Sequence, residues 1–209
     1  MNGLRRATGE RRVLVWSAEH REQADLALTP VAGLLSAATG PPTIGVFLND
    51  GTGAKLGYYL HNTVALGAGR CRPDGRRELA VTMTLHYTAP SAGLPAHVKG
   101  IGVPGRPYAL QTNVLVFAPA GGGLVGASRD GVAVGIMRGD GHGIAVGSQT
   151  VVLDPGAWTE LKVRVLGRPP TDTAAQRIPA LQLTPGVNPW TVAVEPYPPC
   201  PMPEQTADH

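Results

Sequence analysis

The feature that most constrains the fold is the alternation of apolar and polar residues in segment 77–88, RELAVTMTLHYT. In an extended chain, successive side chains point to opposite faces of a sheet. One set of large apolar residues would therefore share a single face: Leu79, Val81, Met83, Leu85 and Tyr87. A helical period of 3.6 residues would scatter the same set around the axis. The segment predicts a strand with one buried and one exposed face.

The partner of this strand is predicted to be the segment before it, 58–69, YYLHNTVALGAG. The connection RPDGR at 72–76 contains the Pro, Asp and Gly that are typical of tight hairpin turns. Antiparallel pairing across this turn would bring His61 close to His86 or Tyr87.

The rest of the chain repeats this pattern of short apolar runs between turns. With 28 Gly, 20 Pro and only 16% charged residues in 209, the composition is that of a turn-rich β protein. Further strands are predicted in LQTNVLVFAP, SRDGVAVGIM, RGDGHGIAVG and TELKVRVLG, and LQLTPGVNPWTVAVEP adds a late hairpin or edge strand. We therefore expect a mainly β protein, with an antiparallel immunoglobulin-like β-sandwich at 58–195.

The two ends of the chain differ from this central region. Residues 13–16 predict a short strand, residues 18–28 a helix, and TIGVFL at 43–48 a buried strand. We interpret 1–57 as a small αβ segment that is the remnant of a larger domain. Residues 196–209 are rich in Pro and polar residues and predict a flexible tail.

Charge and cysteine content limit the choice of partners and compartment. The net charge is only +3, and the arginines are scattered in pairs, which argues against nucleic-acid binding. Cys71 and Cys200 allow one disulfide in an oxidising compartment, but two buried thiols would have the same sequence signature. No stretch approaches the roughly 18 apolar residues of a membrane span, and the first ten residues lack the apolar run of a signal peptide.

A glycine-rich loop within GVFLNDGTGAKLGYYL, 45–60, is superficially like a phosphate-binding loop. It lacks the four-residue spacer and the Lys-Ser or Lys-Thr ending that reach the phosphates and magnesium. We expect a capped turn instead, with a salt bridge between Asp50 and Lys55 at the junction of the αβ segment and the sandwich.

Enzymatic signatures are also missing from the sequence. There is no Gly-x-Ser-x-Gly, His-Glu-x-x-His or Cys-x-x-Cys motif. Of the histidines, only His61 and His86 could share a metal ion, and the sequence shows no third ligand for it. We therefore expect no enzymatic activity and assign no catalytic residue, cofactor or metal. Trp158 and Trp190 lie beside turns and are candidates for stacking on sugars, although such residues also close sandwich cores. The tripeptide Arg138 to Asp140, RGD, matches an adhesion motif that would lie at a hairpin tip.

Five segments, taken in order, carry a family resemblance: RRVLVWSAEHREQADL, GVFLNDGTGAKLGYYL, LPAHVKG, TNVLVFAPAGG and RIPALQLTPGVNPWTVAV. They resemble the C-terminal half of the domain of unknown function 4012 family of actinobacteria and other Gram-positive bacteria. The family has no characterised activity, so the resemblance implies no catalytic residues. It implies a cell-envelope protein with an N-terminal membrane anchor and a large extracytoplasmic region, of which this chain would be a truncated or split C-terminal part.

The resemblance implies an extracytoplasmic location, which favours the disulfide between Cys71 and Cys200. We expect an interaction or scaffolding module whose partner is a cell-wall polymer or an envelope protein. The alternative is part of an envelope glycan- or polymer-processing protein with its active site mainly in a missing N-terminal region. In that case Asp50, Lys55 and Tyr59 would contribute at the junction.

Overall fold

A computed structural model describes residues 2–35, 42–170 and 177–201. This part of the chain contains three helices, α1 (Asn2–Gly9), α2 (His20–Ala27) and α3 (Ala96–Lys99), and short 3₁₀ turns at Pro30–Ala32 and Leu56–Tyr59. Its strands are β1 (Thr43–Asp50), β2 (Leu60–Cys71), β3 (Arg77–Tyr87), β4 (Leu110–Phe117), β5 (Gly123–Arg129), β6 (Val132–Val134), β7 (Met137–Gly141), β8 (Ile144–Leu153), β9 (Trp158–Leu166), β10 (Ala180–Leu183) and β11 (Thr191–Val194).

The strands form two sheets. The five-stranded sheet has the order β10-β1-β4-β8-β7, and the six-stranded sheet has the order β11-β2-β3-β9-β5-β6. Neighbours are antiparallel except at one edge of each sheet, where β10 lies parallel to β1 and β11 lies parallel to β2. The prediction of a mainly β protein is therefore confirmed and the prediction of a purely antiparallel one is wrong, while the immunoglobulin-like arrangement stays a prediction.

One hydrophobic core receives side chains from both sheets. Residues predicted to share a face of β3 are indeed buried in it: Leu79, Val81, Met83, Leu85 and Tyr87. β9 contributes alternate residues in the same way, as its sequence pattern predicts, and β4 also buries alternate residues. The β2–β3 hairpin also has the predicted pairing, with His61 directly opposite His86.

The N-terminal region follows the prediction only in part. The helix is present as α2 and the buried strand as β1, but residues 13–16 form no strand and Trp16 is 76% exposed. Ser17, the next residue, is attached to α2, because its hydroxyl donates to the Glu22 carboxylate and accepts from the Glu19 backbone N–H. β1 itself pairs with β4 and β10, so its contacts lie within the region predicted as the separate domain 58–195.

The C-terminal region is held more firmly than its composition suggests. β10 and β11 form no hairpin, because they join different sheets. Beyond them, Arg77 donates to the Pro198 carbonyl at 2.6 Å and lies over the Tyr197 ring at 4.8 Å. A disulfide joins Cys200 to Cys71. The predicted flexible tail is therefore anchored as far as Cys200, and its last residues, 202–209, lie outside the described residues.

None of the helices in the described ranges is long and apolar enough to cross a membrane.

Candidate functional site on the six-stranded sheet

The outward face of the six-stranded sheet carries a row of three ring side chains. His61 of β2 lies opposite His86 of β3, and His86 lies opposite Trp158, the first residue of β9. All three side chains are exposed. Along each strand, the neighbouring residues in sequence point to the opposite face, towards the core. Three adjacent strands thus bring together residues that are far apart in the chain.

A second row, made of hydroxyl side chains, lies beside the first. Thr191 of β11 pairs with Thr63 of β2, and Thr63 pairs with Thr84 of β3. The two rows line an open groove of about 410 Å³, which we call the Trp158 groove and define by His61, His86, Trp158, Thr63, Thr84 and Thr191. No motif in the sequence marks the three threonines as a site, although they occupy alternate, outward positions in predicted strands.

Trp158 is exposed because of the turn that precedes it. The turn at 154–157 is fixed by hydrogen bonds from the Ala157 N–H to the Asp154 carbonyl at 2.9 Å and from the Gly156 N–H to the Tyr87 carbonyl at 2.8 Å. Trp158 therefore enters β9 on its outward face, and 64% of its surface remains accessible. A flat apolar ring is thus presented on a rigid strand.

Trp190, the other candidate for sugar stacking, has a different environment. Its indole nitrogen donates to the Thr184 carbonyl at 2.9 Å, and its ring packs against the hydrophobic core. Its ring is half-buried, and only its neighbours Pro189 and Thr191 line the Trp158 groove. Trp190 therefore supports the connection to β11 and does not serve as a platform.

His61 and His86 form no side-chain hydrogen bond or ion pair with any other described residue. Within the described ranges, no group of three or more His, Cys, Asp or Glu side chains is placed to hold a metal ion. The groove is consequently a surface of rings and hydroxyls, without a carboxylate among the described residues that line it.

The predicted junction pair does not form. Asp50 Oδ1 accepts hydrogen bonds from the Thr52 backbone N–H at 2.8 Å and from the Thr52 hydroxyl at 2.7 Å. The Lys55 N–H donates to the Val98 carbonyl, and the ion pairs of the described residues do not include one between Asp50 and Lys55. The loop turns so tightly that Thr52 satisfies the carboxylate. Tyr59 packs edge-on against Tyr58 and borders the core, so these residues do not converge on a site.

Cys71 and Cys200 are joined by a disulfide with a Cα–Cα distance of 5.6 Å and a sequence separation of 129 residues. The bond lies at the end of β2, whereas His61 and the Trp158 groove lie at its beginning. Its role is to attach the C-terminal segment to the six-stranded sheet, and it takes no part in the groove.

The RGD tripeptide lies within strand β7 and not at a hairpin tip. The Arg138 guanidinium donates to the Leu124 and Val125 carbonyls at 2.8 and 3.2 Å. Asp140 accepts from the Gly143 N–H at 2.7 Å, and the turn itself is formed by His142 and Gly143, both with positive φ. These contacts hold both charged side chains on the protein surface, so the adhesion hypothesis has no support in the geometry.

Comparisons with known proteins give little further information. No protein-family model matches the chain, and no curated protein sequence matches it. Among solved structures, a "putative nutrient binding protein" from Legionella pneumophila aligns with a TM-score of 0.35 and 5% identity over 61% of this chain and 44% of that protein. The alignment thus spans less than half of that protein, and a similarity this low carries no argument about fold or ligand. The resemblance to the domain of unknown function 4012 family stays a prediction.

Proposed function

We propose that this protein is a non-catalytic, extracytoplasmic interaction module that binds a polysaccharide through the Trp158 groove. The observation that carries the proposal is the exposed Trp158 ring beside two imidazoles and a row of three threonine hydroxyls on one sheet face. A cell-wall polymer is the kind of partner that this surface fits.

The chemistry of a sugar ring matches the two rows of the groove. A pyranose has an apolar C–H face, which stacks on an indole ring, and a rim of hydroxyls that both donate and accept hydrogen bonds. Threonine hydroxyls and neutral imidazoles offer donors and acceptors of the same kind. The apolar and polar halves of one sugar could therefore be satisfied at once.

The position of these side chains on a sheet also favours binding. Residues on paired strands are already ordered, so little conformational entropy is lost when a ligand binds. The groove is open, and its volume of about 410 Å³ lies within the usual range for small-ligand sites. An open groove can admit one or two units within a long chain, whereas a closed pocket accepts only a chain end.

The groove's composition supports binding without cleavage. Most glycosidases use a pair of carboxyl groups beside the glycosidic bond, one as acid and the other as base or nucleophile. The described residues that line the groove include neither Asp nor Glu. The disulfide between Cys71 and Cys200 supports the extracytoplasmic part of the proposal, because disulfides persist in oxidising compartments.

The decisive experiment compares Trp158→Ala with wild type in binding to Gram-positive cell-wall polysaccharides and to a panel of soluble glycans, by calorimetry and by pull-down on insoluble polymer. Losing the stacking surface should weaken binding about tenfold or more. Trp158→Tyr keeps a stacking ring and should retain part of the affinity.

Trp16→Ala is the matched control, because Trp16 is 76% exposed and lies outside the groove. Its affinity should equal that of wild type. Polysaccharide binding that is unchanged in Trp158→Ala, or lost equally in Trp16→Ala, would remove the Trp158 groove as the binding surface.

A further inference from the structure

We infer that His61 and His86 together form a binding site for a late first-row divalent metal ion, with Cu²⁺ bound more tightly than Ni²⁺ or Zn²⁺. The inference does not rest on polysaccharide binding, because it depends only on the two imidazoles and their register.

The register brings the two imidazoles to the correct separation for chelation. His61 and His86 are directly opposite each other on antiparallel strands, so their Cβ atoms are about 4.5–5.5 Å apart. Both side chains leave the same face of the sheet and are exposed. Two imidazoles that start at this spacing can direct one nitrogen each at a shared ion about 2.0–2.1 Å away.

Both imidazoles are free to coordinate. Neither side chain forms a hydrogen bond, an ion pair or a ring contact with the other described residues, so no internal partner has to be displaced. A paired strand also fixes both Cα positions, and the second nitrogen therefore binds at a high effective concentration once the first has bound. This is the advantage of the pair over a single surface histidine.

Of the two charged neighbours on this face of the sheet, the nearer one favours a cation. On the same outward face, the adjacent strand β9 carries Glu160 opposite Thr84 and Lys162 opposite Thr82. Glu160 is therefore one row from His86, and Lys162 is two rows away. β2 and β11 place only threonine and alanine on this face beside the pair: Thr63, Ala65, Thr191 and Ala193.

The donor set determines which ions are bound. Imidazole nitrogen suits Cu²⁺, Ni²⁺ and Zn²⁺, whereas Mg²⁺ and Ca²⁺ prefer oxygen ligands. The general affinity order of divalent ions places Cu²⁺ above Ni²⁺ and Zn²⁺ at such sites. With two protein ligands, the remaining coordination positions are occupied by water and face the groove beside Trp158.

The test is a titration of the full-length, untagged and chelator-treated protein with Cu²⁺, Ni²⁺, Zn²⁺ and Mg²⁺ at near-neutral pH, followed by calorimetry and tryptophan fluorescence. We expect one Cu²⁺ per chain at this site, weaker binding of Ni²⁺ and Zn²⁺, and none of Mg²⁺. Cu²⁺ should quench Trp158, so Trp158→Phe should reduce the quenching while the calorimetric affinity is retained.

Single variants decide whether the pair is responsible. His61→Ala and His86→Ala should each weaken Cu²⁺ binding by about tenfold or more, because chelation is lost. Both residues are exposed, so circular dichroism should show an unchanged fold. His97→Ala and His142→Ala, which alter histidines outside the groove, should bind as wild type does.

Equal Cu²⁺ affinity in His61→Ala, His86→Ala and wild type would overturn the inference, and so would Mg²⁺ binding as strong as that of Cu²⁺. Failure of the polysaccharide proposal would look different, because Trp158→Ala would then leave glycan binding unchanged while the Cu²⁺ titration still depended on the histidines.

Discussion

At the scale of single residues, Glu78 shows how this sheet accommodates a buried charge. Its side chain in β3 is only 4% exposed and is surrounded by three guanidinium groups. Arg72 and Arg70 lie 2.9 and 3.1 Å from Oε1, and Arg164 of the neighbouring strand lies 3.5 Å from Oε2. Burial alone would be costly for a carboxylate, so these arginines are required for it to stay ionised.

The same contacts determine how Glu78 responds to pH. Burial tends to raise the pKa of Glu78, but hydrogen bonds from Arg72 and Arg70 and their positive charges outweigh burial and lower it below its ordinary value of 4.5. A carboxyl group with a depressed pKa contributes stability above its unfolded-state pKa. That contribution is lost as the pH falls below about 4.5 and through the folded-state pKa.

We predict that Glu78→Gln lowers the free energy of unfolding by about 2 kcal/mol at neutral pH, because three guanidinium groups lose their counter-ion. Urea denaturation at a series of pH values measures this effect. The difference between wild type and variant should shrink as the pH falls below about 4.5. Asp154→Asn, which breaks an exposed ion pair with Arg106, should cost less than about 1 kcal/mol. A difference between wild type and Glu78→Gln that is independent of pH would contradict this account.

At the scale of elements, the glycine-rich loop between β1 and the 3₁₀ turn is a packing junction. The Thr52 carbonyl accepts from the Ile101 N–H at 3.0 Å, and the Lys55 N–H donates to the Val98 carbonyl at 2.8 Å. The loop therefore lies against the end of α3, where Gly100 has φ +63° and ψ −150°, a conformation essentially restricted to glycine. Contacts from a distant segment hold this loop in place of the predicted ion pair.

We predict that Gly100→Ala destabilises the protein by about 3 kcal/mol, because strain and steric overlap act together. A Cβ at this position would lie 2.5 Å from the Thr52 carbonyl oxygen and 2.7 Å from the Ala54 nitrogen. Gly105→Ala is the control, since Gly105 has φ +73° but open space around it, and it should cost about 1 kcal/mol. Thermal and urea denaturation of both variants measure the difference. An equal loss of stability in the two variants would mean that overlap with the loop contributes nothing to the destabilisation by Gly100→Ala.

At the scale of the whole molecule, the two sheets are joined by the segment between β10 and β11. After β10, Thr184 bonds β1 through its N–H to the Val46 carbonyl, at 3.1 Å, and through its hydroxyl, which accepts from the Leu48 N–H at 2.8 Å. Asn188 then donates to the Tyr58 carbonyl in the 3₁₀ turn and to the Leu60 carbonyl at the start of β2. The segment thus passes from one sheet to the other, and the disulfide to Cys71 attaches the chain beyond β11 to the far end of β2.

We predict that replacing both cysteines, in Cys71→Ser/Cys200→Ser, lowers the free energy of unfolding by about 4 kcal/mol. A cross-link over 129 residues removes much of the conformational freedom of the unfolded chain. Urea denaturation with and without reductant measures the effect: reduced wild type should match the double variant, and reductant should not change the variant. Two free thiols in the non-reduced wild type, detected by mass spectrometry after alkylation, would contradict the prediction.

The candidate groove was only partly predictable. The sequence predicted that His61 lies close to His86 or Tyr87, because a tight turn between two alternating segments forms a hairpin. The structure decided that His86 is the residue opposite His61. The contribution of β9 and β11 did not follow, since these strands reach β3 and β2 only after long excursions of the chain. The same limit applies to Trp158 and Trp190. Both lie beside turns in the sequence, but in the fold Trp158 is exposed and Trp190 is half-buried against the core.

The sequence by itself determined the strands whose apolar residues alternate and the hairpin that joins β2 to β3, because both depend on neighbours within about ten residues. Only the tertiary structure decided that β1 lies inside the five-stranded sheet, and that β10 and β11 lie at the sheet edges, parallel to β1 and β2. It also decided that Asp50 accepts a hydrogen bond from Thr52 and forms no ion pair with Lys55. The physical reason is that an unpaired strand edge accepts any extended segment with free backbone groups. Which segment reaches it depends on packing among residues far apart in the chain, and local patterns do not encode that choice.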